Sequence, residues 1–244
     1  MTALSQEPDG GLAAGRPAGT AGQAEVESRA AERVTTFSDA VVAIAITLLA
    51  LALPVPGGGA HGLTDGQFLS ALRGYWPDYL AFLISFAVIG SHWSSHRGIT
   101  RYAVRLNGTF SRLNMIWLLM VVLIPFAARV LSTQGGSGAR FAVYAVIQTA
   151  ASMCLLLMTR ECVRGNLLRA DAPEAARHPD YAPYLAICIV FLLSIPVAFA
   201  TTAAWPYLLW FSSPLVTWVL RRITGRRRHV TGAHGQPTAK GRAT

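Results

Sequence analysis

The chain has 244 residues, of which 52% are hydrophobic and only 14% charged. Soluble domains carry about 25% charged residues, and here the charges cluster between long apolar blocks, which excludes a soluble globular core and indicates a polytopic membrane protein. The net charge of +9 invites a nucleic-acid reading, but its distribution among the loops, given below, accounts for it without one.

Residues 1–32 are rich in Gly and Ala, hold no apolar core of a signal peptide, and are expected to form a disordered cytoplasmic N-terminus. Six transmembrane helices then follow over 33–222, at about 34–53, 77–96, 113–131, 139–160, 183–201 and 203–220. Each is close to the ~20 residues that cross ~30 Å of hydrocarbon. Pro54, Pro56 and the Gly57-Gly58-Gly59 run stop the first, and Gln134 to Gly138 separate the third from the fourth. The boundary between the last two rests on the short TTAAWP break. Residues 223–244 form a basic tail expected to be disordered and cytoplasmic, with a weak, salt-sensitive attraction to anionic headgroups. The fold class is therefore all-α.

Orientation follows from Lys and Arg. The N-terminus, the 2–3 loop (Arg97, Arg101, Arg105, Arg112), the 4–5 loop (Arg160, Arg164, Arg169, Arg177) and the tail hold 18 of the 21 basic residues. Only Arg73, Arg129 and Arg140 fall on the other side. Both termini are expected in the cytoplasm. Cys154, Cys162 and Cys188 show no paired spacing, so they read as small buried hydrophobes and not as disulfide or zinc ligands.

The first span, RVTTFSDAVVAIAITLLALAL, places Asp39 inside an apolar run. A carboxylate at membrane depth costs about 2.5–3.5 kcal/mol and calls for partners or a purpose. The topology brings Ser38 and Asp39 of span 1, His92, Trp93 and His96 of span 2 and Asn114 of span 3 to one membrane level. His96, His92, Asn114 and Arg33 are the candidate partners of Asp39. The cluster reads as a clasp between helices, as a proton relay through Asp39 and His96, or as the start of a metal site on His92 and His96, for which no third ligand is evident. Trp93 alone reads as an interfacial belt residue.

At 100° per residue, Phe37, Val41, Ile44, Leu48 and Leu51 share one stripe, with Thr47 at its edge, and Asp39 lies about 140° from Ile44. If copies of this helix met on an axis, Ile44, Leu48 and Leu51 would stack as apolar rings of the kind that gate ions by dewetting. The same stripe also suits lipid or ordinary bundle core.

The pattern Arg33-x3-Phe37-Ser38-Asp39-x4-Ile44-x2-Thr47-Leu48, continued by Trp93-x2-His96, Asn114 and Pro125-Phe126, resembles the prokaryotic branch of the transmembrane protein 175 family of potassium channels. The likeness covers about 33–131; spans 4–6 match only in number and hydrophobicity. It implies a homotetramer in a bacterial plasma (inner) membrane, its central pore lined by the first helices and permeant to K+, with no cofactor and no Thr-Val-Gly-Tyr-Gly filter. By position, Ile44, Leu48 and Leu51 match the apolar constriction, and Thr47 a threonine that offers its hydroxyl to a cation. Arg33, Phe37, Ser38, Asp39, Trp93, His96 and Asn114 match a polar helix-packing network. Proton permeation beside potassium is a variant of this reading. Asn107 stands where the family pattern has an Asp, which threatens a contact in the 2–3 loop. The rival is a proton-coupled secondary transporter built on Asp39 and the histidines, although its polar cluster lies near one membrane face and not at the midplane. No nucleophile–base pair, metal triad or phosphate loop points to an enzyme.

Overall fold

The computed structural model describes residues 18–56, 62–132, 138–201, 205–210 and 212–232. Their regular elements are all helices: α1 (Ala18–Leu51), α2 (Asp65–Gly74), α3 (Trp76–Thr100), α4 (Gly108–Ser132), α5 (Gly138–Arg164), α6 (Glu174–Arg177), α7 (Ala182–Ala200), α8 (Trp205–Trp210) and α9 (Ser213–Gly232). Among the described residues, four helical segments are long and apolar enough to cross a membrane: Glu25–Leu51, Gly108–Ser132, Gly138–Arg164 and Ala182–Ala200. Helix α3 is 25 residues long, but its second half reads SHWSSHR. Those polar residues lower its hydropathy, and His92, Trp93 and His96 among them bond to neighbouring helices.

Helix α4 sits at the centre. It packs on α1, α3 and α5; α5 packs in turn on α7, and α7 on α8 and α9. One apolar core runs through this arrangement, with Val42, Ala45 and Leu49 of α1, Ile89 of α3, Trp117, Val121 and Ile124 of α4, and Tyr144 and Met158 of α5. Cys154, Cys162 and Cys188 are free and buried. Pro125 and Pro196 lie inside α4 and α7; such prolines are tolerated where neighbouring helices pack around them. The start of α5 approaches the end of α7 so closely that a Cβ on Gly138 would meet Phe199 Cδ1 at 2.8 Å.

Three expectations are corrected. Residues 18–32, expected to be disordered, belong to α1. The segment around AEVESRAAER is rich in strong helix formers, and Arg29 pairs with Glu25 one turn away at 2.7 Å. Residues 1–17 lie outside the described residues. At the other end the tail is helical through Gly232, and 233–244 lie outside the described residues. The stretch expected as a sixth span is divided into α8 and α9: the chain turns at Ser212, whose N–H and hydroxyl both donate to Leu209 O, and Pro214 has no N–H to continue a helix across the turn. The periodicity also gave no hint of α2. Its N-terminus is closed by a capping box in which Thr64 and Gln67 satisfy each other's backbone N–H groups.

Two loops lie at the same end of the bundle. Val104 N–H donates to Leu167 O at 3.0 Å and Arg169 N–H to Tyr102 O at 2.9 Å, so 101–107 and 165–169 pair as a short bridge. Arg221 of α9 joins that end through Asp180, at 2.6 Å.

Candidate functional site

Helix α1 has two faces of different chemistry. Ser38, Val42, Ala45 and Leu49 follow the i, i+3, i+4 spacing of a single stripe and are at most 2% exposed. Phe37, Ile44, Leu48 and Leu51 lie on the other side and are 52%, 59%, 41% and 80% exposed. The helix thus leaves a column of large apolar side chains uncovered by its own chain. Val41, at the edge of the column, is half-buried. Thr47 is exposed beside Ile44, and its hydroxyl donates to Ile44 O at 2.8 Å. With its proton so committed, the oxygen presents itself outward as an acceptor.

The buried face is anchored by a directional chain of hydrogen bonds across three helices. Asn114 Oδ1 on α4 accepts from His96 Nε2 on α3 at 2.8 Å, which assigns the ring proton to Nε2. Asn114 Nδ2 donates to Ser38 Oγ on α1 at 3.0 Å. The Ser38 hydroxyl donates to Val34 O, one turn back, at 2.8 Å. All three side chains are at most 1% exposed. The His96 ring lies flat on Trp117 of α4, with centroids 4.3 Å apart and an interplanar angle of 1°. That stacking fixes the imidazole plane and so the line of its bond to Asn114.

Asp39 makes a separate link. Its Oδ1 accepts from Trp93 Nε1 at 2.8 Å, joining α1 to α3 near the protein surface. The Arg97 guanidinium lies over the same indole, 5.1 Å from the ring centroid. The sequence-level partner set for Asp39 is therefore corrected. Its hydrogen bond goes to Trp93, because the histidines are turned elsewhere: His96 toward Asn114, and His92 toward Gln148 Oε1 on α5 at 3.0 Å. Arg33 is exposed on α1. Gln148 is fully buried and was missed. A single Gln in an apolar span was the available signal, but only the packing of α5 against α3 shows what it meets. The two histidines share a helix face yet serve different partners, and no group of three His, Cys, Asp or Glu is arranged to hold a metal among the described residues.

Asn107 terminates the 2–3 loop in a way its sequence position did not disclose. Its Oδ1 accepts the Phe110 N–H at 2.8 Å, capping α4. Its Nδ2 donates to Glu161 Oε1 of α5 at 2.7 Å. An Asp here would still cap the helix but would bring a second carboxylate to Glu161.

Residues 33–125 match the model of the family described as endosomal/lysosomal potassium channel TMEM175. The chain is 36% identical over 150 residues to a potassium channel of Streptomyces collinus, an alignment that covers 59% of this chain and 71% of that one. It is also 36% identical over 105 residues to the endosomal/lysosomal proton channel TMEM175 of Gallus gallus, covering 41% of this chain and 21% of the longer one. The fold is similar to the crystal structure of a lysosomal potassium-selective channel TMEM175 homolog from Chamaesiphon minutus: TM-score 0.59, 27% identity, 82% of this chain and 98% of that one.

Proposed function

The chain belongs to the TMEM175 family, and on that premise we propose that it is a passive potassium-permeable cation channel of a bacterial plasma membrane. The flux runs down the ion's own gradient and involves no covalent chemistry. The observation that carries the reading is the uncovered apolar column of α1 at Ile44, Leu48 and Leu51, set opposite the fully buried Ser38 anchor. Four copies arranged about an axis would turn that column inward as stacked rings, and apolar rings gate ions by dewetting. In this reading Ile44 is the constriction, Leu48 and Leu51 the layers beyond it, and Thr47 the residue that offers an oxygen to a partly dehydrated cation. Ser38, Asp39, Trp93, His96 and Asn114 hold α1 at the angle the rings require, and Arg33 and Phe37, exposed within the chain, join that network only through a neighbouring copy.

The six-span count treats α3 as a span and α8 with α9 as a broken one. Helix α3 is long enough for this, and its Ser85, His92 and His96 are buried against neighbouring helices. The arginine-rich loops that pair through Val104 and Leu167 support placing that end, with both termini, in the cytoplasm. Proton permeation accompanies potassium in this proposal, since vertebrate relatives are named proton channels. A carrier built on an Asp39–His96 relay is disfavoured, because His96 is bonded to Asn114 and Asp39 to Trp93.

The test is the reversal potential of purified protein in a planar bilayer under a potassium/sodium gradient. Unitary currents reversing toward the potassium equilibrium potential support the channel. Saturable, pH-coupled uptake with no unitary current would replace it with a carrier.

A further inference from the structure

Helix α2 holds no buried residue, and its packing is on α3. Phe68, Leu69 and Leu72 are exposed on it. At 100° per residue these three fall within one arc of about 100°, with Ser70, Arg73 and Gly74 on the opposite side. The two charges stand at the ends, Asp65 in the first turn and Arg73 in the last. A ten-residue helix is marginal in water by itself. The capping box of Thr64 and Gln67 closes its amino end, but the chain buries none of its apolar arc. The remaining stabilisation comes from a surface outside the subunit.

Three observations identify that surface. Pro54 O, just past the end of α1, accepts from Tyr79 Oη in the first turn of α3 at 3.1 Å, so the ends of two spans meet at the level where α2 joins α3. Tyr75 and Trp76 stand at that junction and are exposed; aromatic rings with a polar tip collect at the membrane–water interface. The apolar surface then continues onto α3, where the exposed Trp76, Leu80 and Leu83 follow i, i+4, i+7 spacing. The column proposed to face other copies belongs to α1, whereas α2 rests on α3. A helix with one apolar and one polar face, set at the end of a span, lies in the interface plane with its apolar face at the acyl boundary.

We propose that α2 is an interfacial helix seated in the outer leaflet, with Phe68, Leu69 and Leu72 reaching the acyl boundary and Ser70, Arg73 and Gly74 facing headgroups and water. This placement rests on α3 crossing the membrane, as in the reading above, and not on ion flux. Seated there, α2 anchors the outer end of the helix whose Trp93 and His96 bond to α1 and α4.

The experiment places a nitroxide on one introduced cysteine at a time in the full-length protein, in nanodiscs of phosphatidylcholine and phosphatidylglycerol. Leu69→Cys and Leu72→Cys report the apolar arc, Ser70→Cys and Gly74→Cys the polar one, and Leu83→Cys the span. The parent chain, whose cysteines are buried, is the labelling control. Collisions with oxygen, which concentrates in the bilayer, are compared with those of a neutral nickel chelate, which stays in water. The expected oxygen-to-nickel ratio is several-fold higher at Leu69 and Leu72 than at Ser70 and Gly74, with the first pair about 5–10 Å below the phosphates. Equal ratios at all four positions, with Leu83 closed to nickel, would overturn the seat and leave the span intact. Leu69 and Leu72 screened from both reagents would overturn it in favour of a protein neighbour. Nickel access at Leu83 would remove the span itself, and the seat with it.

Discussion

Trp93 and Asp39 are joined by a 2.8 Å N–H···O bond, with Arg97 lying over the same indole. The carboxylate of α1 is thus tied to α3 by a neutral donor, while a cation steadies that donor without touching the acid. Trp93→Phe keeps the ring and removes the donor. Hydrogen bonds to charged groups contribute about 1.5–3 kcal/mol, and partial exposure brings this pair toward the low end. Thermal unfolding in detergent should show a loss of about 1 kcal/mol. Asp39→Asn should show strong non-additivity with it in a double-mutant cycle; independent effects would mean the bond is not formed.

Asn114 serves two partners at once, so its loss should exceed that of either contact. Asn114→Leu has similar volume but leaves His96 Nε2 without an acceptor and Ser38 Oγ without its donor. With about 1–3 kcal/mol for each buried group left unpaired, the expected cost is about 2–4 kcal/mol, read as a lowered unfolding midpoint. A variant as stable as the parent would show that the three-helix chain does not hold α1.

Ile44→Asn should behave in the opposite way. The side chain is mostly uncovered within its own chain, so the stability of the subunit should change by less than about 0.5 kcal/mol. Conduction should rise and discrimination between potassium and sodium should fall. Reversal potentials and unitary conductance in bilayers decide this. An unchanged current would remove Ile44 from the constriction.

Asn107→Asp tests the loop. The Asn107–Glu161 bond at 2.7 Å would become a contact between two carboxylates. A loss of about 1–2 kcal/mol is expected from the lost bond and the repulsion together. Adding Glu161→Gln should restore most of it, because the glutamine amide can donate to the new carboxylate. No rescue in the double variant would mean that the cost arises elsewhere, in the cap on Phe110.

The level at which Ser38, Trp93, His96 and Asn114 meet was legible from sequence, because alternating span directions fix membrane depth and each residue is a polar exception in an apolar run. The two-sided character of α1 was legible from its 100° periodicity for the same reason. Partner choice was not. His92 and His96 are equivalent in a helical projection, and only the placement of α4 and α5 sends one ring to Asn114 and the other to Gln148. The helix over 18–32 was missed because Gly- and Ala-rich composition reads as low complexity, whereas Ala and Glu are strong helix formers once a neighbouring span has nucleated the helix. Helix α2 was missed because a ten-residue element is specified by its capping box more than by any periodicity.

Helix α1 runs for 34 residues, about 51 Å at 1.5 Å per residue, and neither Gly nor Pro interrupts it from Gln23 to Leu51. It is longer than the hydrocarbon slab is thick, so in the proposed channel α1 tilts or projects beyond the lipid as a shaft. Such a shaft is stiff in torsion. Anything that grips and turns its amino-terminal end, whether a partner, a lipid surface or a crosslink, turns the Ile44 side chain with it, with no joint between the handle and the proposed constriction.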